Sequence, residues 1–491
     1  MQPLHPHRRA DLARIAKQAM ADHGLEAEFS AAVQEQLATI SALRRSDAPE
    51  VQDLTNLLWC SIDNDDSRDL DQLTHSEVLE HGAVRIRVAI ADVDALVKCD
   101  SPIDAHARTN TTSVYTSACI FSMLPEKLST DLTSLNDQQE RLAIVTEMVL
   151  NADGSLAGST VYRAWVRNRA KLAYDAVSAW LNAKAPLPHA AAVVAGMDEQ
   201  LRTQDAMAQQ LRARRKAQGS LEFETFQPRA VFQGETVVGI ELQEHNRARQ
   251  LIEELMIATN GCTAHFLSSR GGMSLRRVVR SPDRWLRIVA VAKDYGEVLP
   301  PEPDSLALSA FLAKRHRIDP LRFPDLSLVI VKLMGAGEYV VESAHGAPIG
   351  HFGLAVRDYT HSTAPNRRFP DLITSRMIKA ALAHAKSPYS DKELADLALH
   401  CTRQEDASRK VERQMRKSEA ALVLEGRIGD SFAGVVTGAA PKGVWVRIFS
   451  PPAEGKLAFG SQGLAVGDKV QVRLESVSVE RGFIDFSRVS P

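Results

Sequence analysis

Apolar residues recur at three- and four-residue steps over the first forty or so positions: Leu12, Ile15 and Ala16, then Phe29, Val33, Leu37 and Ile40. That is the period of helices with one buried face. The stretch "DHGLEAEF" interrupts it once, and Gly24 within it suits a helix terminus, so two or more short helices are expected. Further on the period changes. "VRIRVAIADV" sets Val84, Ile86, Val88 and Ile90 at alternate positions, the spacing of a half-buried strand. "RQLIEELMIATNGCTAHFL", "ITSRMIKAALAHA" and the charged run Asp391 to Leu424 return to helical periodicity. Between about 53 and 425 strands therefore concentrate early and helices late, with no internal repeat, which reads as an α+β unit.

The last 65 or so residues change character again. "GDSFAGVVTGAAPKGVWVRIF", "GKLAF" and "GDKVQVRLESVSVERGFIDFS" are short alternating strands punctuated by glycines, the pattern of a small Greek-key barrel. Such barrels present aromatic and basic side chains to single-stranded nucleic acid. Phe432, Trp445, Phe459 and Lys442 are available for this, although each aromatic taken singly suits the barrel core better. The expected organisation is a helical N-terminal domain over 1–52, a central domain over 53–425 and a barrel over 426–491. The N-terminal helices suit either a helix-turn-helix that touches nucleic acid or a cap packed on the next domain.

A chain of 491 residues with 44% apolar positions can bury more than one core. Its 59 Lys plus Arg against 61 Asp plus Glu give no global basic signal, so a nucleic-acid path must rest on local clusters. "RNRAK" (Arg167 to Lys171), "RARRK" (Arg212 to Lys216), Arg276–Arg277 and "KRHR" (Lys314 to Arg317) are the runs available. Cys60, Cys99, Cys119, Cys262 and Cys401 show no C-x-x-C pair and no Cys/His zinc spacing, and read as reduced thiols. With no signal-peptide pattern and no run of 18 apolar residues, a soluble cytoplasmic chain without a membrane partner is expected.

Against this even balance, residues 63–71, "DNDDSRDLD", carry five carboxylates and one cation, Arg68. Adjacent carboxylates repel one another, more so where water is removed, so the cluster needs open solvent or a bound cation. A calcium loop starting at Asp63 fails: its sixth position would be Arg68 in place of glycine, and its twelfth Thr74 in place of glutamate. A solvated acidic turn and a magnesium site are left. Spacing favours the second, because Asp69 and Asp71 can face one way on extended chain, with Asp63 returning from the end of the preceding strand.

The aspartate stretch followed by "VRIRVAIADVDALV", then "SVY", "FSMLPEKLSTDLTSLN", "AKLAYDAVSAWL", "LIEELMIATN" and "STAPNRRFPDLI" stand in the order that resembles the ribonuclease II / ribonuclease R (RNB) family of 3′-to-5′ exoribonucleases. The barrel resembles an S1 RNA-binding domain of the OB fold, so the similarity covers roughly residues 53–491. It implies an RNB-type catalytic domain of mixed sheets packed with helices. It also implies metal-holding by Asp63, Asp69 and Asp71, with Gln72 where the family has a fourth aspartate. An amide oxygen ligates magnesium without bringing charge, so a second ion is expected to bind more weakly. Asp65 and Asp66 are expected to be solvated, and Asp92 to be structural.

The same resemblance implies Asp69, Asp71 and Arg367 as catalytic residues, the guanidinium standing at the scissile phosphate; Arg368 beside it is either a phosphate contact or an exposed basic residue. Tyr115 is implied beside the last nucleotide; a core tyrosine with a satisfied hydroxyl is the competing reading. Tyr174 and Glu253 are implied readers of the ribose 2′-hydroxyl, with Glu254 competing for the role of Glu253. Glu412 is implied as a further RNA-contacting acid. Where a base-stacking phenylalanine is expected, "QPRAVFQ" has Ala230, with Phe226 or Phe232 as substitutes. The two cold-shock barrels usual in the family do not fit into some 50 helical residues.

The implied activity is a hydrolytic, processive 3′-to-5′ exoribonuclease. It uses one or two magnesium ions, with manganese as an alternative, takes single-stranded RNA and releases 5′-mononucleotides, and it is expected to act as a monomer. Two other classes stay open. Gln72 and the missing aromatic suit an RNA-binding protein of the same fold with impaired catalysis. A DNA-binding protein acting through its N-terminal helices would leave Asp63, Asp69, Asp71 and Arg367 unexplained.

Overall fold

The computed structural model describes residues 9–45, 51–224, 228–234, 236–242, 246–320, 322–343, 349–440 and 442–489. Phe226 lies outside them. The chain opens with α1 (Arg9–Asp22) and α2 (Ala31–Thr39). Between them Gly24 takes a φ of +72° and the Leu25 N–H donates to the Met20 carbonyl, a reversal that glycine enters without steric cost. The apolar face of α1, Leu12, Ile15, Ala16, Ala19 and Met20, joins one buried cluster with the C-terminal helix and the barrel. The packing is that of a cap.

Four strands follow, β1 (Gln52–Asp53), β2 (Trp59–Asp63), β3 (Gln72–Val78) and β4 (Val84–Ala91), then α3 (Pro102–Asn110). A short hairpin, β5 (Val114–Tyr115) and β6 (Ile120–Phe121), leads to β7 (Glu140–Leu150) and β8 (Leu156–Ala173). The main sheet has the order β1-β8-β2-β3-β4-β7, and β7 also pairs with β8. The 18 residues of β8 make this closure: its first part pairs with β7 and its last, Asn168 to Ala173, runs parallel to β2. In β4 the expected alternation holds from Val84 to Val88, and from there to Ala91 every residue, Ile90 included, is buried.

The next elements are α4 (Tyr174–Leu181), α5 (His189–Ala192), α6 (Met197–Ala217), the hairpin β9 (Pro228–Gln233) and β10 (Thr236–Leu242), and α7 (Arg247–Ser269). Leu251 and Leu255 of α7 pack with Leu201 of α6 against Ile62, Ile86 and Met148 of the sheet. Strands β11 (Ser274–Val278) and β12 (Glu338–Glu342) pair antiparallel. They bracket a helical insert, α8 (Trp285–Asp294), α9 (Ser305–Ile318) and α10 (Phe323–Met334), which keeps its own core around Trp285, Phe311 and Ile330.

Two further helices follow, α11 (Phe369–Leu382) and α12 (Asp391–Leu424). The second runs for 34 residues from a capping box in which Ser390 and Glu393 satisfy each other's backbone N–H groups. Strands β13 (Ser431–Ala440), β14 (Gly443–Phe449), β15 (Pro452–Phe459), β16 (Lys469–Ser478) and β17 (Phe483–Arg488) form a closed five-stranded barrel. It seats directly on α12: Gly482, at φ +63°, would place a Cβ 2.8 Å from Lys417 Cβ, a contact only glycine avoids.

Several sequence expectations shift at this level. Phe432 is buried in the barrel against Phe486, whereas Phe459 is exposed. Arg276 and Arg277 are buried, with Arg277 held by Glu405 at 2.6 Å, so this pair is a structural ion site and not an RNA surface. Cys60, Cys262 and Cys401 are buried, Cys119 is half-buried and Cys99 exposed. Among the described residues no helix is long and apolar enough to cross a membrane.

Candidate active site

A cleft of about 670 Å³ opens between the β2–β3 loop, the β5–β6 hairpin, α7 and α12. The loop carries the aspartates because β2 ends at Asp63 and β3 begins at Gln72. It is pinned from beneath: Leu70 N–H donates to Ser134 Oγ at 2.9 Å, and Ser134 Oγ donates to the Arg68 carbonyl at 2.8 Å. Asp63 Oδ1 accepts from Asn64 N–H at 2.7 Å and from Ser67 Oγ at 3.0 Å. Asp63, Asp69 and Gln72 line the cleft, while Asp71 is buried just behind its wall. Asp65 and Asp66 are exposed.

Asp71 meets the segment before α11. Its Oδ1 accepts from Asn366 N–H at 2.9 Å and its Oδ2 from Arg367 Nε–H at 3.2 Å. The segment itself is zipped to residues 111–113, for the Arg367 carbonyl accepts from Ser113 N–H and Thr112 Oγ1, and Phe369 N–H donates to the Thr111 carbonyl. Burial pushes the Asp71 carboxyl up to about 7, with Arg367 working against it and Asp69 adding to it. Burial raises Asp63 as well. Desolvation opposes the charge of Arg367, yet Tyr115, Asp71, Asp63 and Asp69 around it drive its pKa upward. A guanidinium thus stands as counter-ion among three carboxylates.

The hairpin hangs over this group. Tyr115 Oη donates to Asp69 Oδ2 at 3.0 Å, while its backbone N–H donates to Glu412 Oε1 at 3.3 Å. One further anchor on α12 holds the hairpin tip: Ser117 Oγ donates to Glu419 Oε2 at 2.9 Å. Tyr115 is thus 38% exposed, not a core tyrosine.

Of the expected residues, the cleft gathers Asp63, Asp69, Gln72, Tyr115, Tyr174, Arg367 and Glu412. It does not gather Glu253, which borders a neighbouring cavity with Arg212 and Phe223. Glu254 is buried in a two-bonded ion pair with Arg215, at 2.8 and 2.5 Å. Arg368 turns to Asp371 at 2.7 Å instead of the cleft. Asp92 is structural, its buried carboxylate held by Arg163 and Lys379, each at 2.9 Å. Ala230 is buried and Phe232 lies under Arg9.

Sequence reasoning passed over Arg249. Its guanidinium covers the Tyr174 ring at 4.4 Å, and Nη2 donates to Asn64 Oδ1 at 2.7 Å, tying α7 to the aspartate loop. Its position four residues before Glu253, one helical turn, was the available signal.

The donor set fits a hard divalent cation in kind. Asp63, Asp69, Asp71 and Gln72 offer only oxygens, and the raised carboxyls of Asp63 and Asp71 are those an added positive charge would return to the ionised form. The carboxylate oxygens of Asp63, Asp69 and Asp71 do not fall within one 4.8 Å cluster. The cluster that does meet this limit among the described residues is Cys99, Asp100 and Asp104, and there Asp104 is committed to Arg376 at 2.7 Å.

Known proteins resemble this chain over most of its length. The RNB domain matches residues 51–384, and the RNase II-type exonuclease C-terminal S1 domain matches 430–489. Ribonuclease R of Escherichia coli (strain K12) is 30% identical over 478 residues, covering 89% of this chain and 57% of the relative. The chain thus spans less than two thirds of the length of that relative. Among solved structures, Mycoplasma genitalium RNase R in complex with ribose methylated single-stranded RNA superposes with a TM-score of 0.87 at 22% identity, over 98% of this chain and 78% of that one. Yeast Ssd1, a pseudonuclease, superposes with a TM-score of 0.73 at 15% identity, over 95% and 59%.

Proposed function

Because this chain belongs to the RNB family, we propose that it is a 3′-to-5′ exoribonuclease that hydrolyses single-stranded RNA in the cytoplasm, processively and as a monomer, to 5′-mononucleotides. The observation that carries the reading is the joint Asp71–Arg367–Asn366 at the floor of a polar cleft. A fold with no catalytic duty has no need to bury a carboxylate beneath a solvent-facing guanidinium and beside two more aspartates.

Each group has a task. Magnesium held by Asp63, Asp69, Asp71 and Gln72 would supply Lewis acidity to the attacking water and to the departing 3′ oxygen. Arg367 spends Nε–H on Asp71, which leaves its terminal N–H groups for two phosphate oxygens, a fork geometry that strengthens as charge builds in the transition state. Asn366 N–H fixes the Asp71 carboxylate so that this alignment needs no rearrangement. Tyr115, locked through its hydroxyl, offers its ring to the terminal nucleotide. Tyr174, braced by Arg249, reads the ribose 2′-hydroxyl, and Glu412 holds the hairpin that presents Tyr115.

Gln72 favours a second reading, an RNA-binding protein with impaired catalysis, because it removes one charge from the metal-holding set. Incubation of linear and circularised single-stranded RNA with magnesium or EDTA separates the two. Loss of the linear form alone, and only with metal, is expected; survival of both with the RNA retained on the protein would establish the second reading.

A further inference from the structure

Residues 110–118 contain both the turn that holds Arg367 and the start of the Tyr115 hairpin, and the N-terminal cap grips this segment at its two ends. At its start Asn110, 1% exposed, is the last residue of α3. Its side chain bonds both backbone groups of Glu26, in the loop between α1 and α2. Oδ1 accepts from Glu26 N–H and Nδ2 donates to the Glu26 carbonyl, each at 2.8 Å. His106, one turn earlier on α3, meets Glu26 Oε2 at 2.8 Å and lies against the Phe29 ring at 4.4 Å. Gln36 of α2 accepts from Ile103 N–H at the start of the same helix. At the far end of the segment, Arg9 Nε–H donates to the Ala118 carbonyl at 2.9 Å.

The residue after Asn110 is strained. Thr111 has φ +61° and ψ −30°, left-handed backbone that a β-branched residue enters only at a cost. From this turn the Thr111 carbonyl accepts from Phe369 N–H at 2.7 Å, and two residues on, Ser113 N–H donates to the Arg367 carbonyl at 3.0 Å. Helix α12 restrains the turn from its other side, through Gln404 to the Thr109 carbonyl and His400 to the Arg108 carbonyl. A strained residue persists only where its surroundings over-determine it. Here the bonds between Asn110 and Glu26 are among the restraints, and what the turn carries is the Arg367 motif.

We propose that Asn110 is a positioning residue for the reaction: by joining α3 to the Glu26 backbone it holds the strained Thr111 turn, and through that turn Arg367. The N-terminal cap then acts on turnover without touching RNA. Asn110 is not among the residues lining the cleft, so its loss leaves every RNA-facing side chain in the chain and changes only how one of them is held. The effect on rate rests on the exonuclease reading; the effect on the turn rests on geometry alone.

The test uses the full chain as wild type, Asn110→Ala, Asn110→Ala with Thr111→Gly, and Arg14→Ala, which opens only the exposed pair between the cap and Glu480. The readouts are amide hydrogen exchange at Ser113 and Phe369, and kcat and KM on a short single-stranded RNA in magnesium. Asn110→Ala is expected to speed exchange at both amides and to lower kcat by roughly tenfold to a hundredfold, the scale of a small misalignment, with KM little changed. Glycine takes a positive φ without strain, so adding Thr111→Gly is expected to restore both readouts. Arg14→Ala is expected to alter neither. Where Asn110→Ala does not fold, Asn110→Asp, which keeps the acceptor and loses the donor, is read in its place. RNA left intact by the wild type fails the exonuclease reading and the effect on rate with it, while exchange still decides whether Asn110 holds the turn. Unchanged exchange overturns the proposal, as does a loss that Thr111→Gly does not restore, one that falls on KM, or an equal loss in Arg14→Ala.

Discussion

Arg367 and Asp71, 296 residues apart in sequence, share a hydrogen bond of 3.2 Å from Nε–H to Oδ2. The bond makes one unit of two loops, the one entering β3 and the one entering α11. It also explains why a carboxylate pushed up by burial is tolerated there: the guanidinium opposes the desolvation.

Removing the arginine should therefore cost turnover more than binding. Arg367→Ala is expected to lower kcat by about 10²–10³, the range for deleting one preorganised donor from a developing anion, with KM for RNA moving far less. Single-turnover and steady-state rates on a short oligoribonucleotide check this split.

Gln72→Asp adds a fourth carboxylate to the metal-holding set. The magnesium concentration for half-maximal activity should fall several-fold, on the order of the 1–2 kcal/mol that one charged ligand contributes. A magnesium titration of wild type and variant measures it, and an unchanged midpoint would remove residue 72 from the metal site.

Two histidines, His75 buried and His351 half-buried, set an acid limit on stability. Desolvation, with Arg87 beside His75 and Arg277 beside His351, lowers each pKa to about 4. The folded state then binds fewer protons than the unfolded state once pH falls below the unfolded value of about 6.5. Stability is accordingly intact at pH 8 and is lost as pH falls through 6.5 toward 4, by about 2 kcal/mol per histidine at pH 5. Denaturant midpoints at pH 8 and pH 5 should show a smaller loss in His75→Gln and in His351→Gln than in the wild type.

The barrel is tied to the helical insert by Arg447 and Asp325, 2.9 Å apart with each side chain 12% exposed. Burial raises the Asp325 pKa and lowers that of Arg447, so desolvation outweighs attraction at both. Arg447→Met alone, which strands the carboxylate, is expected to destabilise by about 3 kcal/mol, while Arg447→Met with Asp325→Leu recovers most of that loss. Thermal unfolding of the single and double variants decides it.

Much of this was legible in the sequence where the signal was local. Asp63, Asp69 and Asp71 lie within nine residues, α12 follows its periodicity over Asp391–Leu424, and the barrel strands alternate between glycines. The pairing of Asp71 with Arg367 carries no local signal, because nothing in either loop specifies its partner. Glu253 and Glu254 show another limit: one residue is 100° of helix, which sends one side chain to a neighbouring cavity and the other to Arg215. Nor could basic runs be sorted by composition, since Arg276 and Arg277 are buried.

The most direct measurement follows a single-stranded RNA labelled at its 5′ end, and a second labelled at its 3′ end, in magnesium, with wild type and Asp71→Asn. The account predicts immediate release of labelled mononucleotide from the 3′-labelled strand, a short limit product from the 5′-labelled strand, and neither with the variant, which still binds RNA. Internal fragments appearing first, release from the 5′ end, or undiminished cleavage by Asp71→Asn would contradict it.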